Sequence, residues 1–162
     1  MFRKMRRGKQ LLPETAAVEI LTRNTSGTLA LLGDDDYPYA VPMSYVWSDG
    51  KLYFHSAKEG HKIDAVRRHT KASFCVIDQD KIVPEKYTTF FRSVIVFGKL
   101  RLIEESFEMR RIATMLAMKY SSAFAVGISG EIDSAIDHMA ILEMTVEHMT
   151  AKEAIELVKM RP

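Results

Sequence analysis

Hydrophobic and polar residues alternate most regularly between positions 39 and 57. In the first part of this segment, every second position is apolar: Val41, Met43, Tyr45 and Trp47. This period of two is typical of a strand that buries one face. The dipeptide Asp49-Gly50 then precedes a second strand-like run over 51–57. Asp-Gly favours a two-residue turn because both central residues of a type I′ turn need positive φ, so the sequence predicts a β-hairpin.

The two-residue turn also fixes the predicted register of this hairpin. Ser44 faces His55 and Val46 faces Tyr53, and these residues share one side of the sheet. Met43, Tyr45, Trp47, Leu52, Phe54 and Ser56 lie on the other side.

The remaining pattern predicts short strands interspersed with a few helices. Helices are expected over 13–23, 60–69, 106–119 and 151–160, and further strands over 28–32, 73–77, 88–104 and 138–147. Ser106 is the expected N-cap of the third helix. The long strand 88–104 is expected to bend at Gly98, where a bulge is natural. A polar loop is expected over 78–86, and 121–137 has no clear pattern.

Short strands with mostly hairpin-length connections predict a small antiparallel barrel. The expected class is mainly β with peripheral helices (α+β), in one domain over 1–162 with a basic N-terminal arm over 1–12. A doubly wound parallel sheet is excluded because strands and helices do not alternate regularly.

Composition narrows the function classes. The chain has 162 residues, of which 47% are hydrophobic and 27% charged, which excludes intrinsic disorder. No apolar run reaches the roughly 20 residues of a membrane span. The basic start lacks the apolar region of a signal peptide, so we expect a cytoplasmic protein. The net charge of +2 argues against a nucleic-acid partner, although the basic arm could touch phosphates.

Common catalytic and metal-binding motifs are missing from the sequence. Cys75 is the sole cysteine, so an intramolecular disulfide and a cysteine-based zinc cluster are excluded. The five histidines have no metal-binding spacing, and no metal site is expected. Rossmann, Walker and nucleophile-elbow motifs are also missing.

Candidate chemistry concentrates in residues 54–62, where a predicted strand ends and a helix begins. His61 and Lys62 fall in the first helical turn, where the helix dipole disfavours cations. Their presence there is explained if the site holds an anion, most simply a phosphate. The alternative is a capping box, since Ser56-x-x-Glu59 has the required spacing.

Pro42 is a second clue, because a proline belongs on an edge strand, whose free backbone can meet a planar ligand. An ordinary edge strand remains the alternative.

Four segments together resemble the pyridoxamine 5′-phosphate oxidase-like flavoproteins, in particular their nitroimidazole-resistance branch. They are 1–7 (MFRKMRR), 33–45 (GDDDYPYAVPMSY), 52–66 (LYFHSAKEGHKIDAV) and 91–99 (FRSVIVFGK). The segments occur in the family's order and cover about the first two thirds of the chain.

The resemblance implies a split β-barrel homodimer with FMN bound in the groove between subunits. The flavin contacts that it implies are Pro42, Met43, Ser44 and Tyr45 on one strand, His55 and Ser56 on the next, His61 and Lys62 at the phosphate, and Arg92 and Ser93 on a further strand.

The leading functional hypothesis is an FMN-dependent oxidoreductase that reduces a small organic substrate with electrons from NAD(P)H. His55 and Tyr45 are the candidates for proton delivery, and the resemblance also suggests His55 for the substrate side. The alternatives are a flavin-binding module that stores or senses FMN without turnover, and a haem-binding barrel with a histidine ligand.

Overall fold

The computed structural model describes residues 1–161, and its central feature is one antiparallel sheet of eight strands. The strands are β1 (Leu11–Leu12), β2 (Ser26–Leu32), β3 (Pro38–Ser44), β4 (Val46–Ser48), β5 (Lys51–Ala57), β6 (Lys71–Val83), β7 (Thr88–Ile103) and β8 (Met139–Glu153). Their order is β3-β2-β6-β7-β8-β5-β4, and β1 pairs with β8. Within residues 1–161 the outer strands β3 and β4 do not pair with each other, so the sheet stays open. The predicted antiparallel split barrel is confirmed.

In the part of the chain that the structure describes, five α-helices lie around the sheet: α1 (Glu14–Arg23), α2 (His61–Arg68), α3 (Ser106–Ser121), α4 (Ile128–Ala135) and α5 (Ile155–Lys159). The main core lies inside the curl of the sheet, where α1 and α2 meet apolar residues of β2, β3 and β5 to β8. A smaller core lies between α3 and the outer side of β5 and β8. Leu52 and Phe54 enter the main core, and Tyr53 enters the smaller one. The alternation predicted for this strand is therefore confirmed.

The Asp49-Gly50 turn has the predicted geometry, with φ of 51° and 75° at its two residues. Val46 pairs with Tyr53 as expected, but the ladder stops after three pairs. The predicted pairing of Ser44 with His55 is wrong, since Ser44 pairs with Ser26 and His55 with Ile141.

The chain leaves the hairpin at Tyr45 because this residue bonds elsewhere. The Tyr120 hydroxyl accepts from the Tyr45 N–H at 2.8 Å and lies 2.7 Å from the Tyr45 carbonyl. The Tyr45 phenol is fully buried and donates to the Leu21 carbonyl at 2.8 Å.

Two strands are longer than predicted. β6 continues through the expected polar loop to Val83, and β8 continues to Glu153, where a helix was expected from residue 151. Both extensions pair with the long strand β7. The backbone hydrogen bonds of this pairing stabilise a strand although the residues of the extensions are largely polar. The predicted irregularity at Gly98 is confirmed by a register shift between Phe97 and Gly98. A Cβ at Gly98 would lie 2.2 Å from the Thr145 carbonyl oxygen, so only glycine allows this close approach.

The segment from α3 to α4 also differs from expectation at its start. Glu105, rather than Ser106, caps α3, because its carboxylate accepts from the N–H groups of Phe107 and Glu108. Residues 106–138 form a helical stretch that is long and apolar enough to cross a membrane by length and composition alone. In the structure this stretch is divided into α3, short 3₁₀ turns and α4, and it packs Ile112 and Leu116 against the sheet.

Candidate functional site

An open cleft of about 390 Å³ lies where β5 ends and α2 begins. It is lined by Tyr39, His55, Ser56, Ala57, Glu59, Gly60, His61 and Lys62. Gly60 has φ of 117°, a backbone conformation that strains any other residue. This sharp turn brings the first turn of α2 against the end of β5. The structure therefore brings together four of the predicted site residues, His55, Ser56, His61 and Lys62.

Lys62 is half-buried in the cleft, and its charge is not neutralised by a carboxylate. Its ammonium nitrogen lies 3.4 Å from the Met43 sulfur, and within residues 1–161 no acidic group lies within ion-pair distance of it. Burial lowers the pKa of Lys62 below its ordinary value. A desolvated ammonium without a counter-ion is the strongest electrostatic sign of an anion site in this cleft.

The beginning of α2 adds to this positive potential. In the described part of the chain, no side chain accepts from the N–H groups of its first turn. The capping box considered for Ser56 and Glu59 is therefore not formed. Unpaired N–H groups at a helix start favour an anion, and phosphate is a common one.

His61 is held in place by stacking and by an acidic neighbour. Its ring stacks on Tyr39 with centroids 4.1 Å apart, and its Nε2 lies 3.6 Å from an Asp34 oxygen. Asp34 also accepts a hydrogen bond from Arg68 at 2.5 Å. That bond, and less strongly the charges of Arg68 and His61, lower the pKa of Asp34. Asp34 lies outside the cleft, in a neighbouring hollow that is also lined by Asp35, Asp36 and Arg68. The acidic residues are thus beside the cleft, whereas Lys62 lines the cleft itself.

The four contacts predicted on the strand before the cleft divide into two exposed and two buried side chains. Pro42 and Ser44 are exposed on β3, which is an outer strand as Pro42 predicts. Met43 and Tyr45 turn inward and are buried in the main core. The Tyr45 hydroxyl does not fit the predicted role of proton donor to a substrate. It donates to the Leu21 carbonyl, and burial raises its pKa.

Ser44 and His55 meet at a second cavity, of about 240 Å³, which we call the α3–α4 cavity. Its other lining residues are Ala113, Leu116, Ala117, Tyr120, Glu131, Ile132, Ala135 and Met139. His55 is exposed and lines both this cavity and the cleft. Sequence reasoning missed the helical residues of this wall. The spacing of Ala113 and Ala117, which places two small side chains on one face of α3, was the available signal.

Arg92 and Ser93 do not line either cavity within one chain. Arg92 donates to Glu153 at 3.1 Å and lies 3.7 Å from Asp78. It borders a separate polar cavity of about 430 Å³ that also contains Arg23 and Arg161. Within residues 1–161, no group of three or more His, Cys, Asp or Glu side chains is placed to hold a metal ion.

Comparison with known proteins assigns the chain to a family. A family model described as pyridoxamine 5′-phosphate oxidase matches residues 13–153, and the chain belongs to this family. The family expected from the sequence is therefore confirmed. None of the curated proteins matches the chain.

Solved structures share the fold at low sequence identity. A candidate 5-nitroimidazole antibiotic resistance protein from Bacteroides thetaiotaomicron has a TM-score of 0.73 and 22% identity, over 88% of this chain and 86% of its own. A conserved hypothetical protein of Mycobacterium tuberculosis, Rv2991, has a TM-score of 0.83 and 18% identity, over 98% of this chain and 94% of its own. The FAD and haem binding protein from Mycobacterium smegmatis has a TM-score of 0.73 and 17% identity, over 90% of this chain and 73% of its own. The chain thus belongs to a family with flavin-binding members.

Proposed function

We propose that this protein is an FMN-dependent oxidoreductase that reduces a small organic substrate with electrons from NAD(P)H. The observation that carries the proposal is the half-buried ammonium of Lys62, which has no carboxylate partner in the described chain and lies at the uncapped start of α2. The family assignment supports a flavin phosphate as the anion.

The residues of the cleft fit such a cofactor. His61 and Lys62 would hold the phosphate ester, and His55 and Ser56 would border the sugar-like chain and the ring. The exposed backbone around Pro42 and Ser44 would border the ring from β3. The cofactor that these residues would hold would supply the two-electron redox chemistry between NAD(P)H and the substrate.

The acidic hollow beside the cleft, lined by Asp34, Asp35 and Asp36 together with Arg68, favours FMN over FAD. Lys62 and His61 can neutralise one phosphate. A second phosphate placed toward Asp34 would be repelled by the Asp34 carboxylate, which has an oxygen 3.6 Å from the His61 Nε2. A protein that binds FAD shares this fold, and we propose that the acidic turn makes FMN the preferred flavin of this chain.

We further propose a homodimer with FMN between the subunits, and the outer face of the sheet supports this proposal. One row of outward residues crosses five strands without a charge: Pro42, Thr28, Cys75, Ile95 and Thr150. The flanking side chains of Ile77 and Phe97 are also exposed. An uncharged sheet face with exposed Ile77, Ile95 and Phe97 is suited to burial against a second copy. In such a dimer, Ser93 would face the other subunit because it shares the outward side of β7 with Ile95, whereas Arg92 is directed to Glu153 and Asp78.

The reaction needs a proton source as well as electrons. Two-electron reduction of a nitro group consumes a hydride equivalent from NAD(P)H and one further proton, and it releases water as the nitroso product forms. His55 is exposed and borders both the cleft and the second cavity, so it is our candidate for delivering this further proton. The fold shared with the Bacteroides protein supports a nitro compound as the reducible substrate.

Absorption spectroscopy tests the cofactor. Freshly purified protein, or protein titrated with FMN, is expected to show bound-flavin bands that weaken in Lys62→Met. A Soret band instead would indicate haem, and no flavin binding at all would overturn the proposal.

Anaerobic stopped-flow mixing with NADH or NADPH tests the reaction. We expect the bound-flavin bands to bleach and to recover when a nitroaromatic compound is added. Flavin that binds but is not bleached by either nucleotide would indicate a storage or sensing module.

The oligomeric state has its own test. Ile95→Glu is expected to turn a dimer into monomers in light scattering, whereas Phe107→Glu, at an exposed position on α3, leaves the dimer intact. A wild-type monomer at micromolar concentration would contradict the dimer.

A further inference from the structure

The α3–α4 cavity has the features of a ligand pocket rather than of a packing defect. Six of its ten lining residues are apolar: Ala113, Leu116, Ala117, Ile132, Ala135 and Met139. The polar groups are few, namely Ser44, His55, Tyr120 and Glu131. Mostly apolar walls with a few convergent polar groups are typical of small-molecule sites.

The position of the cavity links it to the cleft. His55 borders both spaces, so the α3–α4 cavity and the cleft are adjacent at this residue. If the cleft holds the flavin, the α3–α4 cavity is where a substrate could lie beside it. In this respect the inference rests on the function proposed above.

The size and the lining of the cavity restrict what it can accept. Its volume of about 240 Å³ is below the roughly 300–1,000 Å³ of pockets for drug-sized ligands. A charged ligand would lose hydration against the apolar walls, and Glu131 would repel an anion in particular. Ser44 and His55 can donate hydrogen bonds to an oxygen acceptor on the ligand.

We propose that the α3–α4 cavity is the substrate pocket and that it accepts a small, neutral, one-ring aromatic compound carrying a nitro or carbonyl oxygen. The alanines set the size limit. Ala113 and Ala117 are one turn apart on α3, and Ala135 lies opposite them on α4. Their side chains end at Cβ, and the hollow is the space that a larger side chain would fill.

Two variants fill the cavity from opposite walls. Ala117→Leu and Ala135→Leu each add three carbons at half-buried positions, so they can be introduced without displacing the core. Ala125→Leu makes the same change at an exposed position outside the cavity and is the matched control. Thermal melting of each variant checks that the fold is retained.

The probe is 4-bromonitrobenzene, whose bromine can be located by anomalous scattering in soaked crystals. We expect the bromine peak inside the α3–α4 cavity of the wild type and of Ala125→Leu, and no peak in the two filled variants. In solution, the filled variants are expected to bind the probe at least about tenfold more weakly, because an overpacked site excludes the ring. The near-isosteric anion 4-bromobenzoate is expected to bind more weakly than the nitro compound to the wild type.

Each outcome bears on a defined claim. A bromine peak elsewhere, or equal binding by wild type and both filled variants, would overturn the pocket. Equal binding of 4-bromobenzoate would overturn the requirement for a neutral ligand. FMN titration of the same proteins separates this inference from the proposed function. If the protein binds the probe in the cavity but does not bind FMN, the pocket is supported and the proposed cofactor is wrong. If it binds FMN but not the probe, the cofactor is supported and the pocket is wrong.

Discussion

The ammonium nitrogen of Lys62 lies 3.4 Å from the thioether sulfur of Met43. A thioether is a weak acceptor and cannot neutralise the charge. Met43 is buried on β3, whereas Lys62 lies in the first turn of α2, so the contact fixes the lysine stem between the strand and the helix. The free site therefore presents a positive group that is positioned but not paired, which is the arrangement that an incoming phosphate requires.

The pH dependence of FMN binding follows from this arrangement. Burial lowers the pKa of Lys62 below its ordinary value of 10.5, so the lysine loses its proton at a lower pH than a free lysine does. FMN affinity is therefore expected to fall as the pH rises through that lowered pKa. Lys62→Arg should remove this fall, because a guanidinium stays protonated. Fluorescence titrations at a series of alkaline pH values measure it, and an equal fall in Lys62→Arg would show that another group titrates.

Asp34 is expected to control the choice between FMN and FAD. Asp34→Asn removes the carboxylate beside His61, so FAD should gain affinity relative to FMN. Asp64→Asn, on α2 beside Arg67, is the control and should leave the ratio unchanged. Dissociation constants for both flavins at low ionic strength provide the measurement, since salt screens exposed charges. A ratio that does not move in Asp34→Asn would remove the electrostatic argument for FMN.

Glu143 is expected to contribute to stability in a pH-dependent way. It is buried on β8 and accepts from Arg101 at 2.7 Å and from Lys51 at 3.0 Å. Burial alone raises the pKa of Glu143, but the bonds from Arg101 and Lys51 outweigh it and lower the pKa overall. The stabilisation is thus complete above the ordinary glutamate pKa and is lost as the pH falls through the lowered value in the folded protein.

Glu143→Gln should therefore cost about 1–3 kcal/mol at neutral pH and less at acidic pH, because it leaves charge-assisted bonds unmade. Urea denaturation at several pH values measures the free energy of unfolding. The control is Glu147→Gln, whose carboxylate pairs with the exposed Lys99 and should cost at most about 1 kcal/mol. Equal costs at all pH values would contradict the assigned role of Glu143.

Tyr120 is expected to hold the break between β3 and β4. Its hydroxyl is within bonding distance of both backbone groups of Tyr45, so Tyr120→Phe leaves the Tyr45 N–H without this acceptor. The expected cost is about 1–3 kcal/mol in free energy of unfolding. Tyr37→Phe removes a hydroxyl at an exposed position and should be nearly neutral. Similar unfolding curves for the two variants would show that the break does not depend on Tyr120.

Local patterns predicted the elements whose cause is local. Asp49-Gly50 specified a turn with positive φ at both positions, and the alternation of Leu52, Tyr53 and Phe54 assigned each side chain to the correct core. The helix predicted over 60–69 is present as α2 (His61–Arg68), because its start and its apolar positions are also set by neighbouring residues.

Features that depend on distant residues were not predicted. The separation of β3 from the β4–β5 hairpin occurs at Tyr45, whose backbone N–H donates to Tyr120, 75 residues away along the chain. The extension of β8 to Glu153 depends on pairing with β7. The bond of the Tyr45 hydroxyl to the Leu21 carbonyl and the helical wall of the α3–α4 cavity likewise arise from tertiary packing. Residue type alone therefore misassigned Tyr45 as a proton donor and missed the wall.

The most direct test of the central claim compares FMN with riboflavin, which lacks the phosphate. The wild type should bind FMN much more tightly than riboflavin, and Lys62→Met should lose about 1.5–3 kcal/mol of that preference, the range for hydrogen bonds to charged groups. Lys58→Ala, which removes a lysine from a different hollow, should keep the full preference. An unchanged preference in Lys62→Met would show that the start of α2 does not hold the phosphate.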